Sequence, residues 1–269
     1  MSKLPILITS SIDPRGMTIA YFTPREREQM YIEALQYYML QFFHKGYKSN
    51  YKIVFVDNSG WDLRLIKSKV SADFRNNVEF ISLNPNDFAI SRGKSYNEVL
   101  LISQAIDKSK FIQESQAFFK VTGRYPILNL AYFLDEASSL ILQDLKHLYI
   151  DVKNIKMYKK LGLSLSGQMA DVRLFGSTNA LFKDYLLTYL EELDDYKGRL
   201  FEGMVFNFVI CQLNHPKLQL RFKEEPLFAG MEGSVINSVT FNRNHLSFFG
   251  KTKIVIGNLF RKFFPNVWI

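Results

Sequence analysis

The stretch Phe118-Phe119-Lys120-Val121-Thr122-Gly123-Arg124-Tyr125-Pro126-Ile127-Leu128-Asn129 decides how this chain reads. Apolar residues flank a compact group of two cations, a hydroxyl, a glycine and a phenol. That is the pattern of a buried strand emerging at a polar, tightly turned rim. Lys supplies a point charge and Arg a fork of donors, so such a rim suits an anionic ligand such as a phosphate. A strand end whose Lys and Arg merely face solvent would be written the same way.

The residues before it supply the rest of a rim. Leu4 to Ser11 reads as a first buried strand ending in Thr9 and Ser10. Thr23-Pro24-Arg25-Glu26 then has the form of a capping box, with Thr23 at the N-cap, Pro24 first in the helix and Glu26 third. The helix should run through Met30, Leu35, Tyr38 and Leu40 towards Gly46, with apolar positions repeating at three and four. Tyr51 to Val56 is a second strand, closed by Asp57-Asn58-Ser59-Gly60. Strand, helix, strand implies a right-handed crossover and a parallel α/β sheet. Ligands of such sheets sit outside the carboxyl ends of the strands, which places Thr9, Ser10, Asp57 and Asn58 on one rim. An Asp there can accept from a ribose hydroxyl or a base amide; Asp-Asn-Ser-Gly is equally ordinary turn chemistry.

Val78 to Leu83 is a third strand, and Arg92-Gly93-Lys94-Ser95-Tyr96-Asn97-Glu98 opens a helix over Val99 to Ser109. Amides at that helix start, with Arg92 and Lys94, would suit an anion; a solvent-exposed cap is the competing reading. The glycine spacing of a nucleoside-triphosphate P-loop is missing. Phe111 to Phe119 contains the strand that delivers the central motif. Four strand ends thus converge, carrying Thr9, Asp57, Arg92 with Lys94, and Lys120 with Arg124. A nucleoside diphosphate is the ligand that would use all of them.

Composition narrows the class. The 269 residues are 47% apolar, enough to bury a substantial core. The single Cys211 excludes an intramolecular disulfide framework. No apolar run approaches the roughly 18 residues of a spanning helix, and the opening run is too short for a signal peptide, so a cytoplasmic protein is expected. The net charge of +8 fits nucleic acid, anionic lipid or polyanionic small substrates, but it is spread along the chain, with no zinc-finger or ribonucleoprotein spacing. Nucleic acid is therefore not the expected partner.

The sequence resembles bacterial glycosyltransferases of surface-polysaccharide assembly, capsule and O-antigen among them. The resemblance is carried by Lys120, Thr122, Gly123, Arg124 and Tyr125 as a Lys-x-Thr-Gly-Arg-Tyr element. It extends to Val54-Phe55-Val56-Asp57-Asn58-Ser59, to Gly93-Lys94-Ser95-Tyr96-Asn97-Glu98 and to Ala170-Asp171-Val172-Arg173-Leu174-Phe175-Gly176. It implies an A-type fold, a Rossmann-like and mostly parallel sheet flanked by helices, with an acceptor side in the C-terminal half. It also implies transfer of a sugar from a nucleotide donor to a glycan, lipid-linked in such relatives. One domain over 1–269 is expected: a nucleotide-sugar half over 1–135, an acceptor half over 136–250 and a basic-apolar tail over 251–269. The fold's usual Asp-x-Asp metal motif is absent, and the nearest equivalent is Asp171-Val172-Arg173. A divalent Mg or Mn wants one or two carboxylates plus phosphate oxygens. No cofactor is expected; Lys94, Lys120, Arg124 and Arg173 would neutralise the departing diphosphate instead.

In the C-terminal half, Leu140 to Val152 reads as an amphipathic element and 153–160 as a basic face. Thr178-Asn179 reads as a helix cap, and Glu191, Glu192, Asp194 and Asp195 as a solvated helix end. Glu202 stands alone among apolar residues ahead of Met204 to Cys211, surroundings that raise a carboxyl pKa and suit a general base. It resembles in position the base of A-type transferases; a helix-capping Glu is the other reading. Catalytic candidates are Glu202 and Asp171. The loop 226–234 resembles one that closes over the donor, or its glycines are ordinary turns. His44, His147, His215 and His245 show no metal-ligand spacing. The tail mixes cations with large apolar groups, as peripheral membrane elements do and as a core-packed segment also would. The alternative function is a non-catalytic nucleotide-sugar or phosphoglycan-binding protein, separated from an enzyme by turnover of the donor. A nucleic-acid binder would show steeply salt-dependent affinity for oligonucleotides.

Overall fold

The computed structural model describes residues 3–15, 22–43, 51–154, 168–213, 215–229 and 248–263. Expectations that fall on His44, Gly46, His245, 155–160, 230–234 and 264–269 lie outside these residues. Among the described residues a mixed α/β architecture is built on seven strands in the order β3-β2-β1-β4-β6-β5-β7. They are β1 (Ile6–Ser10), β2 (Ile53–Asp57), β3 (Val78–Ser82), β4 (Ala117–Thr122), β5 (Leu148–Asn154), β6 (Gln168–Thr178) and β7 (Leu218–Gln219). Pairings β1–β2, β1–β4, β2–β3 and β5–β7 are parallel; β4–β6 and β5–β6 are antiparallel.

Helices cover both faces. α1 (Pro24–Phe43) starts as expected: the Thr23 backbone N–H donates to Glu26 Oε2 at 2.7 Å and the Glu26 N–H donates to Thr23 Oγ1 at 3.3 Å. That reciprocal pair is a capping box. Its Tyr31, Leu35, Tyr38 and Phe42 pack with α2 (Arg64–Ser68) and α5 (Leu130–Leu142) on one face of the sheet. On the other face α3 (Gly93–Lys108) and α4 (Lys110–Ser115) bury Val99, Ile102, Ile106 and Ile112 against Leu7, Val54 and Phe118. After the short α6 (Asn179–Leu181) comes α7 (Phe201–Ile210), whose Phe201 ring meets Phe175 of β6 at 6.3 Å.

The faces on which the crossovers run fix the site. The β1–β2 connection uses α1 on one face, and the β3–β4 connection uses α3 and α4 on the other. Successive right-handed crossovers on opposite faces mean that the chain reverses direction between β1 and β4. A crevice opens at the carboxyl ends of the two strands where such a reversal occurs.

Several expected boundaries shift. Residues 111–115 are helical, so the strand that delivers the central motif starts at Ala117. Ser109 caps this helix by accepting from the Ile112 N–H at 3.2 Å. Leu140 to Val152 is no single amphipathic element: Leu142 ends α5 and Leu148 opens β5, a buried strand. α3 begins at Gly93, six residues before the expected start at Val99, so Lys94 and Glu98 both lie on the helix, one turn apart.

Candidate functional site

The crevice is walled by the ends of β1 and β4. Gly123 is required here by close approach: an added Cβ would stand 2.5 Å from Ile8 Cγ2 and 2.9 Å from the Thr9 carbonyl oxygen. The Gly123 N–H donates to that carbonyl at 3.1 Å, continuing the ladder one residue past β4. Arg124 then turns out beside Arg27 of α1, close enough for the two guanidinium charges to repel. Arg27 donates to the carbonyls of Ser11 and Ile12 at 2.9 and 3.1 Å. The Arg124 Nη1 is buried without a hydrogen-bond partner. A buried guanidinium nitrogen left unpaired next to a second cation is a place where an anion would be welcome.

On the α3 side of the same strand ends, Thr9, Lys94, Glu98, Lys120, Thr122 and Glu202 come together. Lys120 is fully buried. Its ammonium lies 2.5 Å from Glu98 Oε1 and donates to the Val172 carbonyl at 2.7 Å and to Thr122 Oγ1 at 3.1 Å. An ammonium has three donors, and all three are taken. The Val172 carbonyl is available because the β5–β6 register shifts beside it, between Ile150 and Val152. Thr9 Oγ1 reaches the same Glu98 oxygen at 3.4 Å. Glu202, in the first turn of α7, has a buried Oε2 without a partner. Burial pushes its carboxyl above the ordinary range, and Glu98 adds to this; its own backbone N–H, Lys94 and Lys120 pull the other way. A carboxyl with raised proton affinity and an unbound oxygen can take a proton from a neighbouring hydroxyl.

Other expected site residues are committed elsewhere. Asp57 accepts from Ser10 Oγ at 2.9 Å, the Ile12 N–H at 2.9 Å, the Ser59 N–H at 2.8 Å and Ser59 Oγ at 2.6 Å. All its acceptor sites are filled, so it organises the β1 and β2 loop ends instead of facing a ribose. Beside it, Asn58 Oδ1 is buried without a partner and is the acceptor this corner leaves open. Arg92 donates to the Leu193 carbonyl at 3.0 Å and to Glu191 Oε2 at 3.3 Å, and covers the Tyr96 ring at 4.6 Å. It serves the segment 191–193, not the crevice. Tyr125 is buried edge-on against Phe228 at 5.5 Å and is a core residue.

The expected anion site at the start of α3 holds an anion already, one from this chain. Asp195 Oδ2 accepts from the Lys94 N–H at 2.7 Å, and both its oxygens lie 3.3 Å from the Ser95 N–H. The expected solvated helix end at Asp194 and Asp195 is thereby corrected: Asp195 is the cap of α3. Asp194 accepts from the Tyr196 N–H at 3.1 Å and pairs with Lys197.

Asp171 is taken up by Arg173. It accepts from Arg173 Nε at 2.8 Å and Nη2 at 2.7 Å, while Arg173 also sits 4.2 Å over the Phe228 ring. Burial alone would raise the Asp171 carboxyl, but hydrogen bonds and charge from Arg173 hold it below its usual range. Both oxygens are engaged, so the residues present do not fit a divalent ion at this position. Among the described residues no three His, Cys, Asp or Glu side chains gather as a metal cage.

Two site residues escaped the sequence reading. Glu98 falls inside a quoted motif without a role, and Arg27 is not among the residues singled out. The signal for Glu98 was available: a Lys inside a strand buried on both faces needs a carboxylate partner.

No protein-family profile matches the chain, and no curated protein matches it. Among solved structures it is similar to the galactosyltransferase LgtC in complex with donor and acceptor sugar analogs, at 9% identity over 77% of this chain and 70% of that one, TM-score 0.45. It is also similar to S. aureus TarS 1-349, at 14% identity over 68% of this chain and 48% of that one, TM-score 0.36. A third is mouse xyloside xylosyltransferase 1, at 9% identity over 81% and 84%, TM-score 0.41. The chain thus spans about half of TarS and more of the other two.

Proposed function

We propose that this protein is a glycosyltransferase that moves a sugar from a nucleotide-sugar donor to a glycan acceptor, lipid-linked, in cell-surface polysaccharide assembly. The observation that carries the reading is that two buried polar atoms stand without partners, a guanidinium nitrogen on Arg124 beside Arg27 and a carboxyl oxygen on Glu202 near Lys94, Glu98 and Lys120. The first suits the diphosphate; the second suits the acceptor hydroxyl. The motif resemblance around Lys120 to Tyr125 supports the same reading.

In this reading the Glu202 carboxylate takes the acceptor O–H proton. The freed oxygen pair forms the bond to the anomeric carbon, while the bond from that carbon to the diphosphate oxygen breaks and its electrons leave with the diphosphate. Arg124, Arg27 and Lys94 supply fixed positive charge where the negative charge grows, which is worth most in a dry, preorganised site. Lys120 contributes through Glu98 and not by touching phosphate, because its donors are spent.

The reading extends to a membrane contact. α8 (Phe248–Phe263) carries four cations and no acidic residue in its sequence. Arg261 ties it to the body by pairing with Asp151 at 2.7 Å, and Val255, Ile256, Leu259 and Phe263 are exposed on it. An outward apolar stripe on a basic helix suits the surface of an anionic bilayer, where a lipid-linked acceptor would lie. No described helix is long and apolar enough to cross a membrane.

A thermal-shift and calorimetric panel of UDP-, GDP-, CMP- and dTDP-sugars tests the donor half. One nucleotide class should raise the melting temperature, and Arg124→Ala should weaken its binding at least about tenfold, the worth of a hydrogen bond to a charged group, with the apo melting temperature kept. No stabilisation by any member would sink the proposal.

A further inference from the structure

We propose that Glu98 is a hydroxyl-binding carboxylate of this crevice, anchoring a sugar there, with Lys120 as its buried counter-charge. This rests on the glycosyltransferase reading and adds to it a subsite for neutral polyols.

In a strand covered on both faces an ammonium without a partner is strongly disfavoured, so the placement of Lys120 is set by what neutralises it. Glu98 Oε1 does so at 2.5 Å, and Thr9 Oγ1 stands 3.4 Å from the same oxygen. One carboxylate oxygen is thereby pinned from two sides, by a strand residue of β4 and a strand residue of β1. The other, Oε2, has no partner among the described residues. The Glu98 side chain is 26% exposed while that of Lys120 is 0% exposed, so the pair is sealed at the cation and open at the anion.

A pinned carboxylate with one free oxygen, opening at the ends of β1 and β4, selects its ligand by chemistry. It accepts from hydroxyls and repels phosphate and carboxylate. Neutralisation by Lys120 lets it sit on the rim that receives a diphosphate without spoiling the field for that group. Glu202 stands close enough to feel its charge, so a hydroxyl held by Glu98 lies within the neighbourhood of the proposed base. Two carboxyl groups in unlike surroundings, one ion-paired and one unpaired, divide naturally into an anchor and a proton acceptor. Lys94 follows from the same geometry: it is one helical turn before Glu98 and exposed, free to meet an anion that Lys120 cannot reach.

The hydroxyl could belong to the donor sugar or to the acceptor glycan, and the test separates them. The stabilising donor from the panel and its bare nucleoside diphosphate are titrated into the unaltered protein, Glu98→Gln and Glu98→Asp. The first variant keeps shape and removes charge; the second keeps the charge and draws the free oxygen back by one methylene. For a donor-sugar contact, both variants should lose the extra affinity of the sugar conjugate over the bare nucleotide by about tenfold or more, with bare-nucleotide binding kept. For an acceptor contact, both should leave donor binding alone and raise KM for the glycan at least about tenfold with kcat held. Either pattern supports the anchor. Donor and acceptor parameters within twofold of the parent in both variants would overturn it while leaving the transferase reading intact. So would equal weakening of bare nucleotide and conjugate, the mark of a residue that only props the loop. No binding of any nucleotide by the unaltered protein would remove the transferase reading and this inference together.

Discussion

Lys120 is fully buried, and its charge is met by Glu98, the Val172 carbonyl and Thr122 Oγ1. Its position at a strand end beside Thr122 and Gly123 followed from the apolar run before it. Its direction did not, because a strand buried on both faces lacks the alternation that tells one face from the other. The structure turns the ammonium inward to Glu98 Oε1 at 2.5 Å. Lys120→Met should therefore destabilise the protein by on the order of 3 kcal/mol, since a carboxylate is left without its buried partner. Urea denaturation measures this, and the double variant Lys120→Met/Glu98→Gln should recover part of the loss. Equal stability of parent and Lys120→Met would show that the ion pair is idle. Glu202 carries a pH signature at the same scale. Burial raises its carboxyl, so the protonated form is favoured by folding. That contribution is complete below the ordinary carboxyl range and is lost as pH rises through the folded value. Glu202→Gln has no proton to lose, so its melting temperature relative to the parent should climb as pH rises above the ordinary carboxyl range. A pH-independent difference would deny the raised value.

Elements were legible where their ends carry local chemistry. Thr23, Pro24 and Glu26 announced α1, and the cap forms as the sequence says. The start of α3 was misjudged because its cap is not local: Asp195 arrives from a segment some hundred residues on. Nothing near Gly93 in sequence records that contact. Gly93 itself is the trace of it, with φ at +82° and room for no Cβ, since one would meet Asp195 Cβ at 2.5 Å. Asp195→Ala should cost about 1 kcal/mol, as loss of an N-cap does. Gly93→Ala should cost more, about 2 kcal/mol, because strain at positive φ adds to the displaced carboxylate. Thermal melts of both variants check the order. A Gly93→Ala protein as stable as its parent would mean that the approach of Asp195 is not what fixes this turn.

For the whole molecule, the sequence yielded the class and the rim but not the partition of charges across it. Alternating strands and helices were enough for a parallel α/β sheet, and crossovers on opposite faces put the crevice between β1 and β4. The antiparallel β6 and the bulge that frees the Val172 carbonyl come from pairing across distant segments, which local pattern does not encode. As a result Asp57, Arg92 and Tyr125, all near the rim in sequence, are spent on loops and core, while Glu98 and Arg27 join the crevice. Transfer as proposed needs an anion site and a proton acceptor at the same strand ends, and Glu202→Gln tests this most directly. Donor binding by calorimetry and sugar transfer by single-turnover kinetics should be measured together, in this variant and its parent. The expected result is donor affinity within about twofold of the parent and transfer slowed by about 10²- to 10⁴-fold, the span of general base catalysis. Transfer at the parental rate, or a loss confined to donor affinity, would contradict it.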